Sequence, residues 1–277
     1  MPSRPQPETT TQQGQAHHQR TRLGITSNSA QNQKGGVGKT TTATNISALF
    51  ARQGRRVLVI DTDPQFALTR QLGLQARALG VNLVDVLAGR ASAADAIVPA
   101  VHGVDVIPAA GGLAGVEMSL VGELGRERFL SDALETVIDQ YDEVVIDTPP
   151  NLGLLTVNAL VCADRVLAPV SAEDEGAVHG ILELRVTIAK LARRLGGEAP
   201  ALIALVTRWS PTRVSSRTVE DQLTEAGLTP AGRICLRSAL VAEAAAARIP
   251  VACLAPDSSV SLAYRDVVEL LSGTTRQ

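Results

Sequence analysis

The stretch "QNQKGGVGKTTTATN", residues 31–45, decides how the rest of the chain is read. Gly38, Lys39 and Thr40 end a GxxxxGK[ST] phosphate-loop pattern, and a helical sequence follows them. Each residue has a mechanical reason. Glycines let backbone N–H groups approach phosphate oxygens, a lysine reaches the terminal phosphates, and a hydroxyl in the last position ligates Mg²⁺. The amino terminus of the helix adds a favourable potential for an anion. The pattern is irregular at its start: Gln33 stands where the first glycine belongs, and Lys34 precedes Gly35 and Gly36 directly. One lysine is enough for a phosphate loop, so Lys34 needs a separate explanation.

Outward from the loop, short apolar runs alternate with segments of helical period. "RVLVID" (56–61), "VDVIPA" (104–109), "EVVIDTPP" (143–150), "RVLAPV" (165–170) and "ALIALVT" (201–207) are apolar without alternation, as befits strands buried on both faces of a parallel sheet. "TTTATNISALFARQG" places Ile46, Leu49 and Phe50 on one side and stops at Gly54. "RERFLSDALETVIDQY" and "GILELRVTIAKLARRLGG" repeat that design. The expected architecture is α/β: a doubly wound, mostly parallel sheet with helices on both faces and its ligand outside the carboxyl ends of the strands. The first strand is expected within "LGITSNSAQ" (23–31), although Thr26, Ser27, Asn28 and Ser29 make it unusually polar.

With 277 residues and 45% hydrophobic content, the chain supports one large domain, expected over 23–277. Residues 1–22, rich in Pro, Gln, Thr and Arg and lacking the apolar core of a signal peptide, are expected to be a disordered tail of a cytoplasmic protein. A net charge of −2 gives no global field favouring DNA or an anionic membrane, so any nucleic-acid affinity must be local. No apolar run approaches the ~20 residues of a spanning helix, and no membrane partner is expected. Cys162, Cys235 and Cys253 lie far apart among apolar residues and read as small buried hydrophobes rather than metal ligands.

"KGGVGKTT" resembles the deviant Walker A box of the ParA/MinD ATPases, and closest is the short, Soj-like ParA type. "VLVIDTDPQ" (57–65), "VVIDTPP" (144–150), "NALVCADRVLAPV" (158–170) and "AYRDVVELL" extend the likeness over nearly all of residues 23–270. The resemblance implies ATP and Mg²⁺ as cofactors, bound by Lys34, Gly35, Gly36, Val37, Gly38, Lys39, Thr40 and Thr41. It implies that Lys34 crosses a dimer interface to the phosphates of the other subunit, forming a homodimer with ATP. Asp63 is expected to orient the attacking water, and Asp61 to support it or the metal shell. Thr40, Asp63 and Asp147 are expected around the metal, and Lys34, Lys39, Asp61 and Asp63 make up the catalytic set. Hydrolysis at such a site is mostly positioning and charge stabilisation, so slow turnover that a partner accelerates is expected.

Other branches of the family fit less well. A basic amphipathic membrane helix at the end, cysteine ligands for a cluster and a tyrosine-rich tail are all missing from this sequence. The implied role is partition of chromosome or plasmid DNA with a ParB-like protein, on the nucleoid. The arginines expected to touch non-specific double-stranded DNA are Arg208, Arg213 and Arg217 in "TRWSPTRVSSRT", and Arg233 and Arg237 in "GRICLRSALVAEA". The second segment departs from its relatives: Leu236 replaces a proline and Leu240 an arginine. For each arginine a merely solvated position is the alternative. An adaptor that positions protein cargo or regulates a partner without touching DNA is the competing function.

Overall fold

The computed structural model describes residues 21–26, 36–75, 78–174 and 176–273. In chain order its first half comprises β1 (Thr21–Ile25), α1 (Lys39–Arg52), β2 (Val57–Asp61), α2 (Ala67–Gln71), α3 (Leu83–Leu87), β3 (Val98–Val101), β4 (Val104–Ile107), α4 (Leu113–Leu120), α5 (Phe129–Leu134) and β5 (Glu143–Asp147). The second half comprises α6 (Leu154–Cys162), β6 (Arg165–Ser171), α7 (Ala177–Leu195), β7 (Ala201–Thr207), α8 (Val214–Glu225), β8 (Arg233–Ile234), α9 (Ala239–Ala247), α10 (Val251–Leu254) and α11 (Ser259–Gly273). The strands form one sheet in the order β3-β4-β2-β5-β1-β6-β7-β8. Every pairing is parallel except β3 with β4.

Alternation of side chains along the strands splits the core between the two faces. Val57 and Val59 join Leu23, Ile25, Val145, Leu167 and Leu205 under α1, α10 and α11. Leu58 and Ile60 join Val144 and Ile146 under α3 to α6 on the opposite face. That face continues through Val166, Val170 and Val206 under α7 and α8. Helix α1 is buried from Thr42 to Phe50, which explains its small and polar residues. Asn45 donates to Thr41 O at 2.7 Å and accepts from the Ala252 N–H at 2.8 Å, and the Thr42 and Tyr264 hydroxyls meet at 3.1 Å. The helix that begins with Lys39 is thereby fixed to α10 and α11.

The structure alters four details of the sequence reading. β1 starts at Thr21, two residues before the expected domain boundary, because Asp164 accepts from the Arg22 backbone N–H at 2.9 Å and from its guanidinium at 2.6 Å. It ends at Ile25; Ser27, Asn28 and Ser29 lie outside the described residues, as do residues 1–20 of the expected tail. The segment 126–141 is not one helix: α5 is flanked by single 3₁₀ turns at Arg126–Arg128 and Ile138–Gln140. Cys235 is exposed, because its neighbour Ile234 takes the inward side of β8. Among the described residues no helix is long and apolar enough to cross a membrane.

Candidate nucleotide site and the adjoining arginine cluster

The parallel order brings the carboxyl ends of β1, β2 and β5 side by side, with Asp61 and Asp147 at matching positions of β2 and β5. β1 lies between β5 and β6, where the chain direction through the sheet reverses, the place at which open α/β sheets bind ligands. The loop after β1 reaches α1 through Gly36 and Gly38, with φ of 119° and 91°. Those values favour glycine, and at Gly38 a Cβ would come within 2.2 Å of Leu236 Cδ1. From β7, the Thr207 hydroxyl donates to Val37 O at 2.8 Å and Arg208 Nε donates to Gly36 O at 2.9 Å. Thr41 faces back into α1, its carbonyl accepting from Thr44 and Asn45. Lys34 and Gly35 lie outside the described residues.

Under the loop, the Thr40 hydroxyl donates to Asp147 Oδ2 at 2.8 Å. Asp147 Oδ1 is buried with no hydrogen-bond partner among the described residues. Burial and then the charge of Asp61 hold the Asp147 carboxyl well above the usual carboxylate range. Burial pulls the Lys39 ammonium below its ordinary value, against the attraction of Asp147 and Asp63. An orphaned carboxylate oxygen beside a hydroxyl fits Mg²⁺, which takes one or two protein oxygens and completes its shell with water and phosphate. No cluster of three or more His, Cys, Asp or Glu able to hold a metal occurs among the described residues.

Asp61, which ends β2, and Asp63, two residues on, are held differently. Asp61 Oδ2 accepts from the Thr69 N–H at 2.8 Å and the Thr69 hydroxyl at 2.7 Å, and its Oδ1 accepts from the Asp63 N–H at 3.1 Å. Burial nevertheless pushes its pKa up to about 6. Both oxygens are committed to the 61–69 loop, which makes Asp61 a positioning residue for Asp63. Asp63 Oδ1 accepts from the Gln65 N–H at 2.8 Å, and no hydrogen bond to its Oδ2 occurs among the described residues. Thr69, which the sequence reading missed, also accepts from the Ala109 N–H at 3.0 Å through the same hydroxyl.

The five arginines do not form one patch. Arg208, Arg213 and Arg237 converge on Glu173, just past β6. Arg237 Nε lies 2.6 Å from Glu173 Oε1 and Arg208 NH1 lies 3.3 Å from Oε2, while Arg213 binds Oε1. Arg233 is held apart, paired with Glu220 and stacked over Trp209 with its guanidinium 5.7 Å from the ring centre. Arg217 is exposed on α8. Glu173 is the second residue that the sequence reading missed. Its only signal was an acidic residue directly after a strand end on the ligand side of the sheet.

The fold and this site together define a phosphate-loop, nucleotide-binding α/β protein. Residues 27–198 match the family described as "AAA domain". An uncharacterised Mycobacterium tuberculosis protein is 39% identical over 237 residues, covering 84% of this chain and 74% of that protein. The chromosome partitioning protein ParA of Caulobacter vibrioides is 45% identical over 163 residues, 58% of this chain and 61% of its own length. Among solved structures, cobyrinic acid a,c-diamide synthase from Mycobacterium smegmatis, with bound ATP analog and magnesium, has a TM-score of 0.76 and 31% identity, with 93% of this chain and 96% of that chain covered. The chain belongs to the ParA/MinD family of ATPases.

Proposed function

We propose that this chain is a partition ATPase that binds Mg-ATP, dimerises with it, binds DNA without sequence preference and is released when a ParB-like partner stimulates hydrolysis. The observation that carries the reading is the bond from Arg208 to Gly36 O, which joins the arginine cluster to the phosphate loop. A nucleotide entering that loop has a direct mechanical route to a cationic surface.

Loop N–H groups from Gly36 to Thr40 and the Lys39 ammonium would cradle the phosphates, and Thr40 and Asp147 would hold Mg²⁺. When bound, the metal neutralises charge on the β- and γ-phosphates. The ammonium of Lys39, disfavoured by burial, is stabilised beside an anion. Asp63, fixed by Asp61 and Gln65, orients water toward the γ-phosphate. Lys34 reaches across to the phosphates of a second copy, giving an isologous dimer with two nucleotides enclosed.

Light scattering with Mg-ATP and with Mg-ADP tests this reading. The expected result is a doubled mass with ATP alone, prolonged in Asp63→Ala because hydrolysis stops. An unchanged mass with ATP in that variant would remove the dimer from the proposal. The adaptor reading shares the nucleotide cycle and differs only at the arginines.

A further inference from the structure

Three guanidiniums around one carboxylate are an arrangement with more positive charge than its centre can balance. Glu173 has a side chain only 14% exposed, whereas those of Arg213 and Arg237 are 45% and 60% exposed. The acceptor sits beneath and the donors face solvent. Arg237 approaches it through two nitrogens, Nε and NH2, each at 2.6 Å from a different oxygen. That is the fork by which arginine grips a carboxylate or a phosphate equally well. Arg208, which holds the third side, has a φ of 51° at the end of β7, a strained value for a residue with a side chain. Its guanidinium bridges Glu173 and Gly36 O of the phosphate loop. Burial opposes it, yet the bonds from Arg237 and Arg208 hold the Glu173 carboxyl below its ordinary range, so it is a full anion at neutral pH.

We infer that Arg208, Arg213 and Arg237 form a single anion subsite for a DNA backbone phosphate, and that Glu173 occupies it as an internal competitor. The inference rests on the DNA-binding reading above and adds its control. Sequence-independent affinity requires free guanidiniums, and here their best donors are spent on Glu173. Arg208 also holds Gly36 O of the phosphate loop, so it is the least free of the three, and Arg213 and Arg237 are the donors that a competing phosphate reaches first. Exposure of Arg213 and Arg237 means that they rotate toward DNA without unpacking the core.

The test is fluorescence anisotropy of a labelled duplex of arbitrary sequence, titrated with wild type and Glu173→Gln, each with ATP, with ADP and without nucleotide. Glu173→Gln is expected to bind without nucleotide at least about tenfold more tightly than wild type, the effect of freeing charge-assisted donors. Its affinity should also fall more steeply with salt, as each added phosphate contact contributes a slope of about −0.9. Adding Arg213→Ala and Arg237→Ala to Glu173→Gln should return it to the wild-type nucleotide-free level. Nucleotide-free affinity unchanged by Glu173→Gln, in a protein whose wild type binds duplex with ATP, overturns the competitor while leaving DNA binding intact. If neither protein binds duplex under any condition, the DNA reading fails and the competitor with it. Should Glu173→Gln not fold, as judged by circular dichroism, Glu173→Asp withdraws the charge by one methylene; a rise of a few-fold supports the inference and no rise overturns it.

Discussion

Replacing Asp61 by Asn separates a positioning carboxylate from a chemical one, and its effect can be worked out in advance. The pKa of Asp61 stands at about 6 against an ordinary 3.8, a rise of roughly two units, because burial outweighs the Thr69 hydrogen bonds. At about 1.4 kcal/mol per unit, its ionised form costs the fold about 3 kcal/mol. Since the folded value is the raised one, this stabilisation is complete below the unfolded value and is lost as pH rises through about 6. Between about pH 5 and about pH 7 the share lost is about 1 kcal/mol. Asparagine has no such ionisation. It keeps one acceptor oxygen and turns its amide toward a donor, leaving one buried N–H unsatisfied at a pH-independent cost of about 1–3 kcal/mol. Urea unfolding of the nucleotide-free proteins at the two pH values isolates the titrating part, because Glu143, whose carboxyl burial pushes up to about 7, is common to both proteins and cancels. Relief of Asp147 from the neighbouring charge adds in the same direction. Wild type should therefore lose at least about 1 kcal/mol more than Asp61→Asn on going from about pH 5 to about pH 7. Equal losses in the two proteins would mean that Asp61 is not the desolvated carboxylate described here.

Three further substitutions probe the loop and its supports. Lys39→Ala should abolish ATP binding by isothermal titration, since it removes the charge-assisted contact to the terminal phosphates, and near-normal affinity would disprove the loop assignment. Gly38→Ala places a side chain at φ 91° and within 2.2 Å of Leu236 Cδ1, so ATP affinity should fall at least about tenfold; Leu236→Ala should not restore it, because the backbone strain of about 1–2 kcal/mol remains. Tyr264→Phe leaves the buried Thr42 hydroxyl without its partner at 3.1 Å and should cost about 1–3 kcal/mol in urea unfolding, most of it recovered by adding Thr42→Val; a cost the second change leaves untouched would show that the hydroxyl pair is not its source.

The central sheet was legible because its strands are buried on both faces, and runs such as "VLVID" and "EVVID" have no other use in a chain of this composition. β1 was misplaced by two residues since the reading weighed apolarity alone, while Arg22 is tolerated at the strand's first turn through Asp164, 142 positions away. β3 and β8 escaped notice for a different reason: one carries exposed residues at the antiparallel edge and the other has only two residues. The turn from Gly36 into α1 was legible because its glycines and helix start are local in sequence, while Lys34 and Gly35 lie outside the described residues. The arginine cluster was only half legible. Its cations announce themselves, but Glu173 lies 35 residues from Arg208 and 64 from Arg237, and only the parallel β6–β7 pairing brings them together. Likewise, nothing in "IDTDPQ" tells that the first aspartate spends one oxygen on Thr69 and the other on the Asp63 N–H.

Retention of a long, arbitrary DNA duplex by the wild-type protein, compared with ATP, with ADP and without nucleotide at one fixed moderate ionic strength, bears most directly on the proposed role. Strong retention with ATP alone, falling with salt and indifferent to sequence, is the predicted result. Equal retention in all three conditions, or none in any, would contradict it and leave the adaptor as the better description of the molecule.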